Sequence, residues 1–396
     1  MTTKTLMPIF GMNTVQADAE LEVKGKAPFF YVRDAVNVDI TPAGDVKLRD
    51  DMTKVTNTQF RCLWQSPLHH DVFGALNDQW VKINPVDWSY IELATIGAGK
   101  IWHELLNNQV IVSGDAGIFT YDGSSARLLT IDTPTQPLVD VIDGSLEAGT
   151  YGVAVSWLRG TQESGTSLMT SVTLASKGGL EVHVPYCSDP TVTAVRIYLT
   201  QTDGMELQLA ETLAISNTSA SYGLLPELGR PSQFRFKSPM PVGKYLKYWS
   251  GRILTTKANV LRFSDAMAYH LFDERHGFIQ FGQRITFVQP VDAGIWVGQV
   301  DHVVFLAGND VDQLVLQRKT ARPPVPDSAI LVDSDTVGAE HSQFGGMSAL
   351  WLAENGYVIG TPSGSIIELH SNVMEGITGL SATSVVLDRR ILTSVM

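Results

Sequence analysis

The chain has 396 residues, 44% of them hydrophobic and 18% charged. That is enough apolar material for two or three domain cores, and too little charge for a disordered chain. Its 29 basic and 41 acidic residues leave a net charge of −12, which argues against a main task of gripping nucleic acid or an anionic membrane, since both need basic surface.

The N-terminal MTTKTLMPIFGMN has one lysine and an apolar stretch broken by Pro8 and Gly11. It does not read as a signal peptide, so folding in a cytoplasm is expected. No run of 18 apolar residues follows, so no transmembrane helix is expected. The tract Met1–Ala27 lacks the pattern found further on, and its apolar island Leu6–Met12 is either a frayed end or a docking segment for a partner.

From there the chain reads as short strands punctuated by Gly, Asn, Asp and Pro. Val110–Val112 runs into the Gly114–Gly117 turn and returns as Ile118–Tyr121 before Asp122-Gly123. Val303–Leu306 meets Gly308-Asn309-Asp310 and returns as Gln313–Leu316. Tyr357–Gly360 meets Pro362-Ser363-Gly364 and returns as Ile366–Leu369. Each is a hairpin in which Gly supplies positive φ and Asp or Asn bonds its own backbone. One helical turn or two is expected over Asp265–Glu274, capped by Ser264 or Asp265.

Five hairpin units align loosely: Leu63–Ile83, Ile101–Leu129, Tyr248–Phe272, Gly294–Leu316 and Ala349–Leu369. They carry Trp64, Trp102, Trp249, Trp296 and Trp351 near their starts. Radial repetition of such units favours a β-propeller of about five blades over a sandwich or an irregular β-fold. The repeat breaks between Thr133 and Ser238. A Pro/Thr linker, Thr133–Pro137, opens a stretch of more regular alternation: Gly149–Trp157, Met169–Ala175, Leu180–Pro185, Val192–Thr200 and Leu207–Leu213. It exits at Arg230-Pro231, Pro239 and Pro241. Borders of this kind mark an inserted β-sandwich. The expected organisation is all-β: residues 1–132 as N-terminal arm and first part of the propeller-like body, 133–238 as the insert, and 239–396 as the second part.

Chemistry is sparse. Gly97-Ala98-Gly99-Lys100 lacks the first Gly of a phosphate loop and the hydroxyl after Lys, so it reads as a turn. His69 and His70 are neighbours on an extended chain and point apart, which suits a surface loop better than a metal site. Gly360–Gly364 places Ser363 one position away from a nucleophile elbow. Cys62 and Cys187 lie far apart and read as buried thiols, with neither a disulfide framework nor a Cys-rich metal site. A glycan-cleaving enzyme would need two carboxylates about 5–9 Å apart in a cleft, and no spacing here supports a pair. No catalysis and no cofactor is expected, and no catalytic, cofactor-binding or metal-ligating residue is assigned. Arg318, Lys319 and Arg322 form the densest basic cluster, beside the Pro-rich loop Thr320–Asp327. That cluster suits a solvated loop, an acidic partner or DNA.

The insert resembles a fibronectin type III or immunoglobulin-like domain. Val192–Ala214 carries RIYLT, the Asp203-Gly204 turn and LQLAET, similar to a strand pair of that family. The flanking parts resemble the β-propeller tail proteins of tailed bacteriophages on three segments. The first is Arg33–Arg49, RDAVNVDITPAGDVKLR, with Asn37 and Asp39 before the Thr41–Gly44 turn and Lys47–Arg49 after it. It departs from the family at Asp50-Asp51. The second is Phe263–Gly308, with Phe263-Ser264, His270, Phe272, Pro290-Val291, Gly294–Val297, Phe305-Leu306 and Gly308. The third is Gly356–Leu369, GYVIGTPSGSIIEL. The resemblance implies a structural virion protein: a tail hub or nozzle subunit, made in the bacterial cytoplasm and placed in the virion tail. It implies a homo-oligomeric ring, most often a hexamer, below portal and adaptor proteins. Such a ring lets DNA pass and carries fibres or spikes. A tail-tip propeller that binds a host receptor or glycan is the alternative. In the nozzle reading, part of the −12 charge faces the DNA channel and keeps the duplex from sticking; solubility before assembly is the plainer use.

Overall fold

The computed structural model describes residues 7–41, 43–49, 53–68, 70–333, 346–387 and 390–396. They are all-β, with no α-helix and two short 3-10 turns, Asp18–Glu20 and Val311–Gln313. The chain forms two compact units, Phe60–Gln280 and Met1–Gln59 with Phe281–Met396.

In the Phe60–Gln280 unit, the first sheet is an antiparallel meander of Arg61–Gln65, Val72–Leu76, Gln79–Ile83 and Tyr90–Thr95. The second is Trp102–Leu106, Gln109–Gly114, Gly117–Tyr121 and Ala126–Leu128. Its first hairpin closes through Asn107 and Asn108 at φ 47° and 63°, the left-handed pair that matches strand twist and that Asn tolerates. The third contains Lys244–Trp249, Arg252–Lys257, Val260–Asp265 and Ala268–Asp273, edged by Lys237–Pro239 and Phe278–Gln280. Sheets stack face to face. Phe73, Ala75 and Trp80 of the first meet Val110, Val112 and Tyr121 of the second. Leu106, Ile111 and Ile118 of the second meet Leu246, Ile253, Tyr269 and Phe272 of the third. Each such side chain contributes about 1.5–3 kcal/mol on burial. This is how the blades of a propeller-like body pack.

The second unit repeats the pattern. Its fourth sheet is Ile285–Val291, Gly294–Gln299, Val303–Ala307 and Val315–Lys319; its fifth is Ile330–Asp333, Met347–Ala353, Gly356–Gly360 and Ile366–Glu368. Phe287, Trp296 and Phe305 pack on Ala349, Trp351 and Val358. The Trp296 and Trp351 rings lie 5.5 Å apart. Gly360 makes room for them: a Cβ there would fall 2.5 Å from Trp296 and 2.7 Å from Trp351. Ile9–Met12 pairs in parallel with Phe29–Val32, and Thr14 bonds to Val373 and Glu375, so the described part of the N-terminal tract is tied down rather than frayed. The Arg33–Arg49 segment is the hairpin Val38–Ile40 with Val46–Leu48. Pro42, Leu6, His69 and Asp50-Asp51 lie outside the described residues.

The insert is a sandwich. One sheet is Leu138–Leu146, Gly178–His183 and Ser219–Tyr222. The other is Gln162–Glu163, Gly149–Arg159, Ala194–Leu199 and Gln208–Ala214, with Thr170–Leu174 also on Gly149–Arg159. Tyr151, Val153, Val155 and Trp157 project at period two onto Leu180, Val182, Val195, Ile197 and Leu199. Ala154 lies on the opposite side with Tyr198 and Leu207, so this strand is covered on both faces. Gly165 marks where the insert joins the third sheet: a Cβ there would lie 1.9 Å from the Lys237 carbonyl and 3.0 Å from Thr133 Oγ1.

Four expectations need correction. Asp265–Glu274 is not helical: Val260–Asp265 and Ala268–Asp273 form a hairpin through Met267 at φ 58°. Tyr269, His270, Leu271 and Phe272 are all buried, which suits a strand covered on both faces and not a one-faced surface helix. The tryptophans do not mark a registered repeat, since Trp64, Trp102 and Trp249 sit on the first long strand of their sheets and Trp296 and Trp351 on the second. Both cysteines are half-buried. The Pro-rich loop is not freely solvated: Pro324 and Val325 are buried, and Val325 N–H donates to Leu352 and Asp327 N–H to Thr286.

Candidate functional site

The residues singled out for chemistry are occupied structurally. Around Gly97–Lys100, the carbonyls of Gly97 and Gly99 accept from Arg61, and Gly99 N–H donates to Asp115 Oδ2 at 2.9 Å. A loop whose carbonyls face a guanidinium and whose amide faces a carboxylate is the inverse of a phosphate cradle. His70 is exposed in a turn at φ 58°, and Asp71 pairs with Lys82 at 2.7 Å. Ser363 Oγ shares a hydrogen bond with Thr361 Oγ1 at 3.1 Å inside its turn. Among the described residues, no three His, Cys, Asp or Glu side chains are placed to hold a metal ion. Burial pushes the Cys187 thiol up from its ordinary pKa; its hydrogen bond to the Asp189 carbonyl works against this, and the charges of Asp189 and Asp132 add to it.

The densest polar cluster went unread in the sequence. Glu163 is 2% exposed; its carboxylate accepts from Ser156 Oγ at 2.6 Å, from the Tyr198 hydroxyl and from Arg196. Burial, then the Glu163 bond, pushes the Tyr198 phenol well above its usual range. The Glu163 carbonyl accepts from His270 Nε2 at 3.0 Å, which ties the insert to the third sheet. Arg159 does the same toward the second sheet, donating to the Leu128 and Leu129 carbonyls at 3.1 and 2.6 Å. Every polar tip of Glu163 is engaged inside the protein: the carboxylate braces two strands of the insert, the backbone carbonyl makes the joint to the third sheet, and neither reaches a substrate.

Two clefts open on the insert, on either side of one loop. A cleft of about 400 Å³ is lined by Pro185, Tyr186, Cys187, Asp189, Asn217 and Thr218, among others. A smaller one of about 100 Å³ is lined by Asp132, Thr135, Trp157, Tyr186, Ser188 and others. Tyr186 belongs to both and is 90% exposed. In the other unit, Arg284, Thr286, Pro324, Glu354, Ile377 and Leu380 help line a groove of about 440 Å³.

Two sheet edges are exposed as well. Val315–Lys319, the outer strand of the fourth sheet, exposes Val315 at 60% and Leu316 at 51%, next to Gln317 and Arg318. Leu138–Leu146, an edge of the insert, exposes Leu138 at 75% and Val141 at 59%, next to Asp140 and Asp143.

No family model matches this chain, and no curated protein matches it. Among solved structures it is similar to Sqt1 of Saccharomyces cerevisiae at 10% identity and a TM-score of 0.33, over 84% of this chain and 77% of that one. It is also similar to BBS1N, solved in complex with ARL6DN, at 11% identity and a TM-score of 0.33, over 85% and 92% of the two chains. Regucalcin from Agrobacterium tumefaciens matches at 12% identity and a TM-score of 0.23, over 74% and 89%. Scores of this size tell nothing of function.

Proposed function

We propose that this chain is a structural subunit of a bacteriophage tail, a hub or nozzle protein that assembles into a closed ring around the DNA exit path and carries other tail proteins. The reading is supported by the three segments similar to phage tail propellers, because each coincides with strands of the propeller-like body. Arg33–Arg49 contains the two-stranded hairpin of Val38–Ile40 with Val46–Leu48, Phe263–Gly308 runs from the later strands of the third sheet through the first three of the fourth, and Gly356–Leu369 spans a hairpin of the fifth. The chemistry is consistent with a non-catalytic role: the carboxylates and histidines traced above serve turns, ion pairs and one buried joint. A ring subunit needs two different, complementary faces.

Light scattering and electron microscopy of the purified chain, alone and with virion tail components, test it. The expected result is a closed ring whose hole exceeds the roughly 20 Å of a duplex. A chain that never closes, alone or on its neighbours, overturns the reading. Under it, acidic side chains line the hole; acidic residues confined to the outer surface would refute that part alone.

One observation favours a second reading, a tail-tip protein that contacts host glycan. Tyr186 presents an uncovered ring between two clefts that carry Asp132, Asp189, Asn217 and Thr218. A flat aromatic face with amide, hydroxyl and carboxylate groups around it suits a sugar ring. A bacterial glycan array probed with the wild type and Tyr186→Ala decides it, since only a signal lost on substitution supports this site.

A further inference from the structure

We propose that the outer strand Val315–Lys319 of one copy adds to the insert edge strand Leu138–Leu146 of a second copy, and that opposite charge on the two edges selects this pairing. The inference rests on the ring reading above and names the surfaces that close it. Both strands are terminal in their sheets, so among the described residues each leaves one row of backbone donors and acceptors without a partner strand. Such an edge is a template for another chain. Natural edges are blunted by shortness, cover or charge. These two have five and nine residues, and each exposes two large apolar side chains; Tyr90–Thr95, the outer strand of the first sheet, shares that but carries a single charge, Glu92. The outer strands of the second and fifth sheets, Ala126–Leu128 and Ile366–Glu368, have three residues each.

The charges are of one sign on each edge. Val315–Lys319 carries Arg318 and Lys319 and no acid; Leu138–Leu146 carries Asp140 and Asp143 and no base. Lys244–Trp249, terminal in the third sheet, is also basic, but its Lys247 already pairs with Glu104 at 3.8 Å. Pairing of either edge with its own copy sets like charges together and is disfavoured. Pairing of one with the other sets Arg or Lys against Asp. Like-charge rejection therefore suppresses the two-fold, self-complementary dimer and leaves the head-to-tail contact that builds rings. In the antiparallel register that sets Arg318 opposite Asp140, Leu316 falls opposite Ile142, so charge meets charge and apolar meets apolar on one face; on the other, Lys319 faces Val139 and Asp143 faces Val315, and these two charges act only through the net sign of each edge. Local partners leave this open: Asp140 uses Oδ2 for His183 at 2.9 Å, and Lys319 Nζ reaches Gln317 at 2.9 Å.

The test is sedimentation velocity on the full chain over a concentration series, with circular dichroism showing that each variant keeps its strands. Arg318→Glu with Lys319→Glu is expected to weaken assembly by at least about tenfold, as is Asp140→Lys with Asp143→Lys. Mixing the two variants one to one restores it, because every edge again meets its opposite. Wild-type rings that persist in both variants overturn the edge pairing and leave the ring reading standing. Variants that fall apart but fail to recover on mixing also overturn it. A wild type that stays monomeric alone and with its tail neighbours overturns both.

Discussion

Removing the Glu163 carboxylate shows how firmly the strands of the insert are braced. In Glu163→Ala, the Ser156 and Tyr198 hydroxyls lose their shared acceptor, and Arg196 loses its counter-charge. Ser156 and Tyr198 are 0% and 2% exposed, so neither finds water without opening the strand. Breaking a buried pair from one side costs about 3–5 kcal/mol. Hydrogen exchange of peptides covering Gly149–Arg159 in the full chain reads this locally, where a global unfolding curve would mix domains. Exchange there is expected to speed by about 100- to 4,000-fold, at roughly 1.4 kcal/mol per tenfold. Glu163→Gln keeps one acceptor oxygen and loses less. Glu163→Met with Arg196→Met removes the charges together and recovers only the part due to the uncompensated Arg196, because the Ser156 and Tyr198 hydroxyls still lack their acceptor. Exchange in Glu163→Ala within tenfold of the wild type would refute the account.

Other outcomes follow from single sites. Gly360→Ala drives a methyl into Trp296 and Trp351, which are both 0% exposed, and should cost about 1–3 kcal/mol in urea denaturation; an unchanged midpoint would show that the rings can shift. His103 is buried and accepts from Trp80 Nε1 at 3.1 Å, and burial lowers its pKa from 6.5 to about 3. The unfolded chain therefore takes up this proton first as pH falls, so stability is full above pH 6.5 and declines below it, by about 3 kcal/mol at pH 4.5. His103→Gln, which keeps an acceptor, is expected to flatten that slope relative to the wild type; parallel slopes would refute it. Asn108→Ala, at φ 63°, should destabilise by about 1 kcal/mol while Asn108→Gly does not, measured by thermal melts. Asp132→Asn is expected to speed maleimide labelling of Cys187 at pH 8, because one of the charges that raises its pKa is gone; equal rates would remove Asp132 from that role.

Local chemistry in the sequence carries much of this fold. The strand pairs around Gly114–Gly117 and Pro362–Gly364 lie where the turn residues place them. The insert strand Gly149–Arg159 shows its period-two apolar set directly. Failures come where context outweighs pattern. Asp265–Glu274 has residues that suit a helix, and only pairing with Lys237–Pro239 on one side and Val260–Asp265 on the other makes Ala268–Asp273 a strand. The tryptophans look equivalent in sequence because a shift of one strand leaves spacing nearly unchanged. Glu163 sits in RGTQESGTS, which reads as a turn, and its partner Arg196 is 33 residues away. No periodicity reports a long-range ion pair. Nor does any local signal tell that the Pro-rich loop is pinned by Leu352 and Thr286.

The crowding at Gly165, where Thr133 enters and Lys237 leaves, has a genealogical consequence. Both ends of the insert meet at one point, so a hundred-residue passenger, give or take, can be spliced in or lost without moving the strands on either side. Ancestors and cousins of this chain are then expected to come in two lengths, with a short turn bridging the second and third sheets where this one carries a whole sandwich.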